Sequence, residues 1–325
     1  MTIHLFWDDY PTVKEELIQT KQLIESNIFI RNQQVHEAAK DIFIHNGKMV
    51  RPAYALLFSK LGPASEQQRA QSIAASLEIF HNATLLHDDI IDEGIVRRGQ
   101  PTIQARYGKK SAVYAGDYLI SVCFRITHPY RLEMDVQGLL TRAMERVIRG
   151  ELQQLDQTYN GEMTLRRYLT QIRGKTAELF ALSCYAGAME SGLSVKAQWL
   201  SYRIGLKIGM AFQLMDDLLE YTQEEADWGK TTFQDIKNGI YTAPVIYTME
   251  QSPEFFKNLL EKETYTDKDV QAIRTALHDA KGIEKAEKLA ERYTQKALAL
   301  IEELPNGKEK EEIKRLTTTL LKRKV

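Results

Sequence analysis

The sequence predicts an all-α fold, built as one helical domain over residues 1–325. Apolar residues recur at helical spacing through most of the chain, whereas sustained strand alternation and hairpin signals are almost absent. The eight prolines are scattered, and no Gly/Ser/Pro-rich linker divides the chain. Asn-Gly pairs at 46–47, 160–161, 238–239 and 306–307 each follow a helical pattern, as is typical of turns and helix C-caps.

The individual helices follow from the periodicity of each segment. In residues 283–300, apolar side chains recur at steps of three and four and therefore share one helix face, and Pro305 and Gly307 end the pattern. The side chains on that face are Ile283, Ala286, Leu289, Tyr293, Ala297 and Leu300. The same spacing predicts helices, in chain order, over 12–30, 66–92, 111–126, 132–157, 164–188, 195–222 and 266–280, so we expect ten or more helices in total.

The composition is typical of a soluble globular protein. Lys and Arg number 43 against 44 Asp and Glu, which gives a formal net charge of −1 and argues against a nucleic-acid-coating surface. Cys123 and Cys184 are far apart and suggest neither a disulfide framework nor a zinc ribbon. The N-terminal residues do not resemble a signal peptide, and no run approaches the roughly 20 apolar residues of a membrane span. We therefore expect a cytoplasmic protein.

Two acidic clusters end long apolar helical patterns. In "LLHDDIIDEG", Asp88 and Asp92 are four residues apart and emerge from one helix face, where like charges repel. One such cluster alone would indicate a solvated helix end. A second cluster in "FQLMDDLLEY", with Asp216 and Glu220 four apart, favours a functional role. Clustered carboxylates suit Mg²⁺, which is usually bound by one or two carboxylates together with substrate phosphates.

Short basic motifs accompany both clusters. Each cation alone would be read as a surface charge, but together with metal-binding carboxylates they predict a diphosphate site, because metal and Arg/Lys neutralise different sides of the anion. The basic residues are Lys48 and Arg51 in "NGKMVRP", Arg97 and Arg98 in "RRGQPT", Arg173 and Lys175 in "IRGKTAELF", and Lys230 in "DWGKTT".

A series of short segments spans the chain, in this order: "GKMVRP", "EIFHNATLLHDDIID", "RRGQPT", "AGDYLIS", "GELQQL", "GKTAELF", "GMAFQLMDDLLEY", "GKTTFQDIKNG" and "TAPVIY". Together these segments resemble the motifs of the trans-isoprenyl diphosphate synthases, the polyprenyl synthetase family. The resemblance covers nearly the whole chain and extends to the catalytic subunits of medium- and long-chain enzymes. It implies a helical bundle of the isoprenoid-synthase type around a deep central cavity. It also implies head-to-tail condensation of isopentenyl diphosphate onto an allylic diphosphate such as farnesyl diphosphate.

The resemblance also implies roles for individual residues. Asp88, Asp92 and Asp216 would hold Mg²⁺, about three ions per active site, with Asp89, Asp217 and Glu220 as further candidates. Arg97, Lys175 and Lys230 would bind the allylic diphosphate, with Thr176 and Gln213 close by; Lys48, Arg51, His81 and Arg98 would bind isopentenyl diphosphate. A histidine on an apolar helix is more often a core residue, but His81 lies two turns before Asp88 on roughly the same face, whereas His87 is a structural candidate.

Small side chains upstream of Asp88 predict the product length. Ala83 and Thr84 lie about 6–8 Å before the metal end of the helix, and Phe80 is the next obstacle, although alanine more commonly serves close packing. Short-chain relatives carry bulky aromatics at these positions, so the resemblance implies an open tunnel here and an all-trans product of about six to eight isoprene units for a quinone side chain. The alternatives are a short-chain farnesyl or geranylgeranyl diphosphate synthase, or a subunit that is inactive without a small regulatory partner.

Three positions depart from the family pattern: Asn46 replaces a frequent glycine, Glu220 the last aspartate of the second motif, and Ile240 a common lysine. A class I terpene cyclase and a di-iron carboxylate bundle are rival interpretations. The second motif and the basic residues near Lys48 argue against the cyclase, and a single Glu78-x-x-His81 argues against the di-iron site.

A non-catalytic partner subunit is the third rival interpretation. The resemblance implies a homodimer or a heteromer with a small regulatory subunit, with peripheral membrane contact during product release.

Overall fold

The computed structural model describes residues 3–43, 47–64, 66–97, 99–128, 136–222, 233–260, 262 and 265–322. Helices dominate these ranges, which confirms the predicted all-α fold. The helices are α1 (Pro11–Asn27), α2 (Gln33–Asp41), α3 (Val50–Phe58), α4 (Gln67–Ile91), α5 (Ile103–Tyr107), α6 (Lys109–Thr127), α7 (Val136–Gln157), α8 (Leu165–Ile172), α9 (Glu178–Glu190), α10 (Val195–Thr222), α11 (Gln234–Lys237), α12 (Ala243–Met249), α13 (Pro253–Leu260), α14 (Asp267–Asp279), α15 (Gly282–Ile301) and α16 (Lys308–Leu321).

Three shorter elements complete the described structure. A 3₁₀ turn forms at Leu5–Trp7, a five-residue π-helical turn at Arg173–Ala177, and a two-residue antiparallel ladder between β1 (Val96–Arg97) and β2 (Gln100–Pro101). The π-helical turn corrects one prediction, because it separates α8 from α9 within the predicted helix 164–188. By contrast, α10 has the predicted bounds 195–222.

The described chain divides into two compact units, and the prediction of one domain over 1–325 stays a prediction. The first unit comprises Met1–Leu140, Ser183–Ser201 and Pro305–Lys310. Within it, α4 packs against α1, α3, α5 and α6. Ala74, Ile79 and Ala83 of α4 have no exposed surface, which agrees with the apolar character of this helix on all sides. Small side chains allow these close helix contacts, and α4 therefore holds its polar C-terminal end in a fixed place.

The second unit comprises Thr141–Leu182, Tyr202–Leu304 and Glu311–Val325. In it, α12 contacts α8, α13, α14 and α15 around a hydrophobic core. Helix α10 contributes Leu214 and Leu218 to that core, and each buried leucine contributes about 1.5–3 kcal/mol relative to an exposed one. Burial of these two side chains fixes the direction in which the polar residues between them point. None of the helices within the described ranges is both long enough and apolar enough to cross a bilayer.

Candidate active site

The first acidic cluster lies at the C-terminal end of α4. Asp92 caps the helix, with its backbone N–H donating to the Asp88 carbonyl at 2.8 Å. The three aspartates differ in exposure: Asp92 is exposed, Asp88 is partly exposed and Asp89 is buried. A helix C-terminus disfavours anions by about 0.3–1 kcal/mol, so a nearby cation stabilises a carboxylate here. Asp89 obtains one from Arg97, whose Nε lies 2.7 Å from Asp89 Oδ1. Asp88 and Asp92 are therefore the carboxylates of this cluster that solvent can reach.

The loop after α4 positions Arg97. Thr102 Oγ1 donates to the Gly94 carbonyl at 2.7 Å, and the amide of Gln104 donates to the carbonyls of both Gly94 and Asp89. Gly99 has a φ of +73°, a left-handed conformation that glycine adopts without strain, and it closes the β1–β2 ladder that carries Arg97. Arg98, the neighbouring predicted ligand, lies outside the described residues.

The "AGDYLIS" motif has a local structural explanation. An added Cβ on Gly116 of α6 would lie less than 3.0 Å from three atoms of the His87 ring. His87 Nε2 also lies 3.4 Å from Asp117 Oδ1. Glycine at 116 thus makes room for the imidazole that immediately precedes Asp88. This contact agrees with the structural role predicted for His87, and the sequence did not indicate Gly116 as its partner.

The residues predicted to bind isopentenyl diphosphate belong to the first unit. Lys48 is held in two ways: its carbonyl accepts a 2.6 Å hydrogen bond from Trp7 Nε1, and its Nζ lies 4.9 Å from the Phe6 ring centroid. Arg51 follows in the first turn of α3, and His81 is partly exposed on α4. Their assignment as ligands stays a prediction.

The second acidic cluster lies on α10 and shows a similar division of roles. Asp217 is buried and accepts hydrogen bonds from the Tyr168 hydroxyl and, at 2.8 Å, from Gln213 Nε2. Burial raises the pKa of Asp217 to about 7, although the hydrogen bonds from Tyr168 and Gln213 act in the opposite direction. Asp216 is partly exposed. Of these two neighbouring carboxylates, Asp216 is thus the one accessible from solvent.

Glu220, the residue that replaces an aspartate of the family pattern, is directed toward α11. Its Oε1 accepts the backbone N–H of Asp235 at 2.8 Å, at the start of that helix. Burial, together with a hydrogen bond to the Asp235 carboxyl, raises the pKa of Glu220 to about 9. The longer side chain therefore serves an interaction inside the second unit. Ile240 is partly exposed after the same helix, with its N–H donating to the Asp235 carbonyl at 2.8 Å.

The π-helical turn Arg173–Ala177 carries Lys175 and Thr176. Thr176 Oγ1 donates to Gln213 Oε1 at 2.6 Å, and Gln213 in turn donates to Asp217, so the turn is linked to the second acidic cluster. Lys175 Nζ lies 2.7 Å from Glu151 Oε2 of α7. Single π-helical turns occur frequently at functional sites. The structure thus joins Thr176, Gln213 and Asp217, as three adjacent members of one hydrogen-bonded chain.

Close backbone contact holds this turn against α7. An added Cβ on Gly150 would lie 2.9 Å from the Gly174 carbonyl carbon, and one on Gly174 would lie 2.8 Å from the Arg146 carbonyl oxygen. The glycines of "RGELQQL" and "IRGKTAELF" are therefore required by contact between two segments. Their distance in sequence concealed this contact from pattern analysis.

A network around the buried Glu178, which the sequence did not predict, supports the end of the same turn. The Glu178 carboxylate accepts hydrogen bonds from the Tyr202 hydroxyl, at 2.9 Å to each oxygen, and forms an ion pair with Arg146. Arg146 Nη1 also lies 3.0 Å from the Tyr202 hydroxyl. Burial and the Glu178 charge raise the pKa of Tyr202 to about 12. We call Arg146, Glu178 and Tyr202 the Glu178 brace.

The accessible carboxylates of the two clusters are of the donor type that Mg²⁺ prefers. Within the described ranges, no group of three or more His, Cys, Asp or Glu side chains is placed to hold a metal by itself. Mg²⁺ commonly takes one or two carboxylates and fills its remaining positions with water and phosphate oxygens. Asp88 and Asp92 in the first unit, and Asp216 in the second, are each exposed or partly exposed and are donors of this type, whereas Asp89 and Asp217 are buried.

The three residues predicted to set the product length differ in exposure, and some other predicted site residues lie outside the described ranges. Ala83 has no exposed surface and Phe80 is buried, whereas Thr84 is partly exposed with its hydroxyl donating to the His81 carbonyl at 2.8 Å. Lys230 and Asn46 lie outside the described residues, as Arg98 does. Their predicted roles therefore stay predictions.

Comparison with known proteins agrees with the motif analysis. Residues 32–277 match the family model described as polyprenyl synthetase. The chain is 32% identical over 324 residues to heptaprenyl diphosphate synthase component 2 of Bacillus subtilis, covering 98% of this chain and 88% of that protein. Geranylgeranyl pyrophosphate synthase from Lactobacillus brevis superposes with a TM-score of 0.92 at 36% identity, covering 98% and 99% of the two chains. Polyprenyl synthase from Caulobacter crescentus, solved with calcium and isoprenyl diphosphate, gives 0.89 at 27% identity, covering 97% of each chain.

Proposed function

The chain belongs to the polyprenyl synthetase family, and from this premise we propose that it condenses isopentenyl diphosphate head to tail onto an allylic diphosphate. The observation that carries the proposal is the division of roles within the acidic clusters. Asp88, Asp92 and Asp216 are exposed or partly exposed to solvent, whereas Asp89 and Asp217 are buried and bound to Arg97 and Gln213. A site prepared for a diphosphate and its divalent cations needs such accessible carboxylates. The calcium and isoprenyl diphosphate in the solved Caulobacter relative support the same chemistry.

In the proposed reaction, the allylic C–O bond breaks and its electron pair leaves with the diphosphate. The double bond of isopentenyl diphosphate attacks the carbocation to form the new C–C bond, and a proton then leaves to the released diphosphate. Asp88, Asp92 and Asp216 would hold about three Mg²⁺ ions, whose charge stabilises the departing diphosphate. Arg97, Lys175 and Lys230 would bind that group, and Lys48, Arg51, His81 and Arg98 would hold the second substrate.

The hydrogen-bonded chain on the second unit suits this chemistry because it fixes polar groups before substrate binds. Thr176 and Gln213 are held by Asp217 and its partner Tyr168, so their orientation does not depend on the ligand. Preorganised groups of this kind lower the reorganisation required at the transition state. Positioning and electrostatics are what the reaction requires, because ionisation of the allylic substrate needs no protein nucleophile.

We propose a medium- or long-chain product of about six to eight isoprene units, and the similarity to a heptaprenyl diphosphate synthase component supports this length. The similarity to a geranylgeranyl pyrophosphate synthase favours a shorter product as the second candidate. The name component 2 also supports a heteromer with a small regulatory subunit as the alternative to a homodimer. Cytoplasmic location and peripheral membrane contact stay predictions.

The test is to incubate the purified protein alone with Mg²⁺, farnesyl diphosphate and labelled isopentenyl diphosphate, and to measure the length of the products. Products longer than geranylgeranyl diphosphate support the proposal, and a product that stops there supports the second candidate. Asp216→Asn serves as the matched inactive control. No labelled product, either alone or after addition of candidate small subunits, would contradict the proposed activity.

Product length can be tested separately on α4. Thr84 is partly exposed and lies about 6 Å along the helix from Asp88, so Thr84→Tyr should shorten the product while the first condensation continues. Ala83→Tyr, at the other predicted wall residue, should shorten the product as well, but because Ala83 is fully buried the change also costs about 1–3 kcal/mol of stability, so Thr84→Tyr is the cleaner test. Unchanged product length in an active Thr84→Tyr protein would refute the role of this wall.

A further inference from the structure

Several positively charged side chains surround Tyr293 in the second unit, on the surface of α10 and α15. Lys207 Nζ lies 5.3 Å from the Tyr293 ring centroid, and Lys296 Nζ lies 5.9 Å from the same centroid. Arg203 precedes Lys207 by one turn of α10, so both side chains occupy one helix face. Arg173 begins the π-helical turn and completes what we call the Tyr293 cluster: Arg173, Arg203, Lys207 and Lys296 around Tyr293.

The charges of the Tyr293 cluster are not balanced by acidic side chains. In the described part of the chain, none of the four cations forms an ion pair or a hydrogen bond with a carboxylate. Other cations of the same unit are paired, as Lys175 is with Glu151 and Lys314 with Glu302. Four unpaired cations grouped around one ring therefore distinguish this surface from its surroundings.

Burial adds to the cost of this arrangement. Lys207 is only partly exposed. Burial first, and then the charges of Lys296, Arg173 and Arg203, lower the pKa of Lys207. Arg292 and Arg173 likewise oppose the rise that burial gives to the pKa of the Tyr293 hydroxyl, so guanidinium charge also faces that oxygen. A bound anion would remove this mutual repulsion.

We propose that the Tyr293 cluster binds the phosphate groups of a diphosphate or of an anionic lipid. Arg guanidinium groups bind phosphate oxygens through two parallel hydrogen bonds, Lys supplies a mobile charge, and the tyrosine hydroxyl is a further donor. The proposal goes beyond the prenyl transfer reaction and does not depend on it. Arg173 lies two residues before Lys175 in the same turn, so an anion bound to the cluster would contact the turn that carries a proposed substrate ligand.

The experiment measures how fast an amine-reactive acylating reagent labels individual lysines, read by mass spectrometry. The full-length protein is compared in EDTA, at constant ionic strength, with inorganic pyrophosphate, with vesicles of phosphatidylglycerol, and with vesicles of phosphatidylcholine. Lys196, which is exposed on the same helix α10 and lies outside the cluster, is the internal control. Repeating the pyrophosphate arm in Asp88→Asn/Asp216→Asn separates the cluster from the proposed active site.

We expect pyrophosphate or phosphatidylglycerol to slow the labelling of Lys207 and Lys296 while Lys196 is unaffected. Protection by pyrophosphate identifies a free diphosphate as the ligand, and protection by the anionic vesicles alone identifies lipid. Lys207→Met should weaken the protection of Lys296 about tenfold, because one charge-assisted contact is lost, whereas Lys196→Met should not. Lys296→Met, at an exposed position, is the second variant and should weaken the protection of Lys207. Protection by neither probe, or equal protection of Lys196, would overturn the proposal.

Discussion

Replacing Glu178 with glutamine tests whether the Glu178 brace positions the substrate-binding turn. The substitution preserves the size of the side chain but removes the negative charge that faces Arg146 and Tyr202. Hydrogen bonds to charged groups contribute about 1.5–3 kcal/mol each. Arg146 is 52% exposed and its side chain can reach water after the change, whereas Glu178 is 4% exposed. We therefore expect a loss of about 1.5–3 kcal/mol in the free energy of unfolding, below the 3–5 kcal/mol typical of a fully buried broken pair.

The effect on activity should follow from the position of Glu178. It is the first residue after the turn that carries Lys175 and Thr176, and the Arg146 carbonyl contacts Gly174 in that turn. A displaced turn would weaken the hold of Lys175 on the allylic diphosphate. The loss of one charge-assisted contact corresponds to about a tenfold rise in KM for that substrate, with a smaller change in KM for isopentenyl diphosphate.

Urea unfolding and steady-state kinetics measure the two effects on the same proteins. Glu145→Gln is the matched control, because Glu145 pairs with Arg149 of the same helix α7 at an exposed position and such pairs contribute about 0–1 kcal/mol. Tyr202→Phe removes the neutral donor alone and should give an intermediate result. A Glu178→Gln protein that is destabilised but keeps its KM for the allylic diphosphate would show that the brace serves stability alone.

Three further predictions concern the acidic clusters and their surroundings. Asp88→Ala should reduce turnover by orders of magnitude with unchanged helix content in circular dichroism. Asp89→Ala should instead lower the unfolding midpoint, because it removes the charged hydrogen bond that a largely buried carboxylate makes to Arg97; the reverse outcome would make Asp88 the structural residue. Gly116→Ala should destabilise the protein through its clash with His87, and a wild-type melting temperature would contradict this close contact. In the folded protein the pKa of Glu220 is raised from 4.5 to about 9, so the stability that its protonated form contributes is present at low pH and is lost as pH rises through this range. In EDTA, Glu220→Gln should therefore flatten the decline of the unfolding free energy with pH. An unchanged pH profile of that free energy would contradict the prediction.

Periodicity predicted most of the longer helices, because their burial follows a simple pattern, but it did not predict α16 (Lys308–Leu321). Helix α10 has the predicted bounds, and α15 runs from Gly282 to Ile301 against a predicted 283–300. Helix α3 was not predicted, because nearly every residue in Val50–Phe58 is buried and no polar face marks the helical period. The π-helical turn was also missed; it lies in close contact with Gly150 of α7, a contact between segments that no local pattern indicates.

In the candidate site, too, the short motifs could be predicted from the sequence, whereas contacts between distant segments could not. The sequence identified the acidic clusters, the "IRGKTAELF" turn and Gln213, because each is a short motif. It treated Asp217 and Glu220 as further candidate ligands, and the structure gives each of them a hydrogen-bonding partner within the second unit: Tyr168 for the first and Asp235 for the second. Such pairing depends on which helices pack together, so no local pattern could indicate it.

The pairing also explains how the fold tolerates several neighbouring carboxylates before any cation binds. Asp89 is neutralised by Arg97, and burial raises the pKa of Asp217 to about 7, which reduces its charge near neutral pH. In each cluster the buried carboxylate is thus compensated within the protein, which reduces its repulsion of the more accessible neighbour, Asp88 or Asp216. Metal binding alone therefore does not explain why the unliganded fold tolerates these clustered carboxylates. The buried partners reduce the repulsion in the unliganded protein, and the more exposed carboxylates are the ones that a cation from solvent can approach.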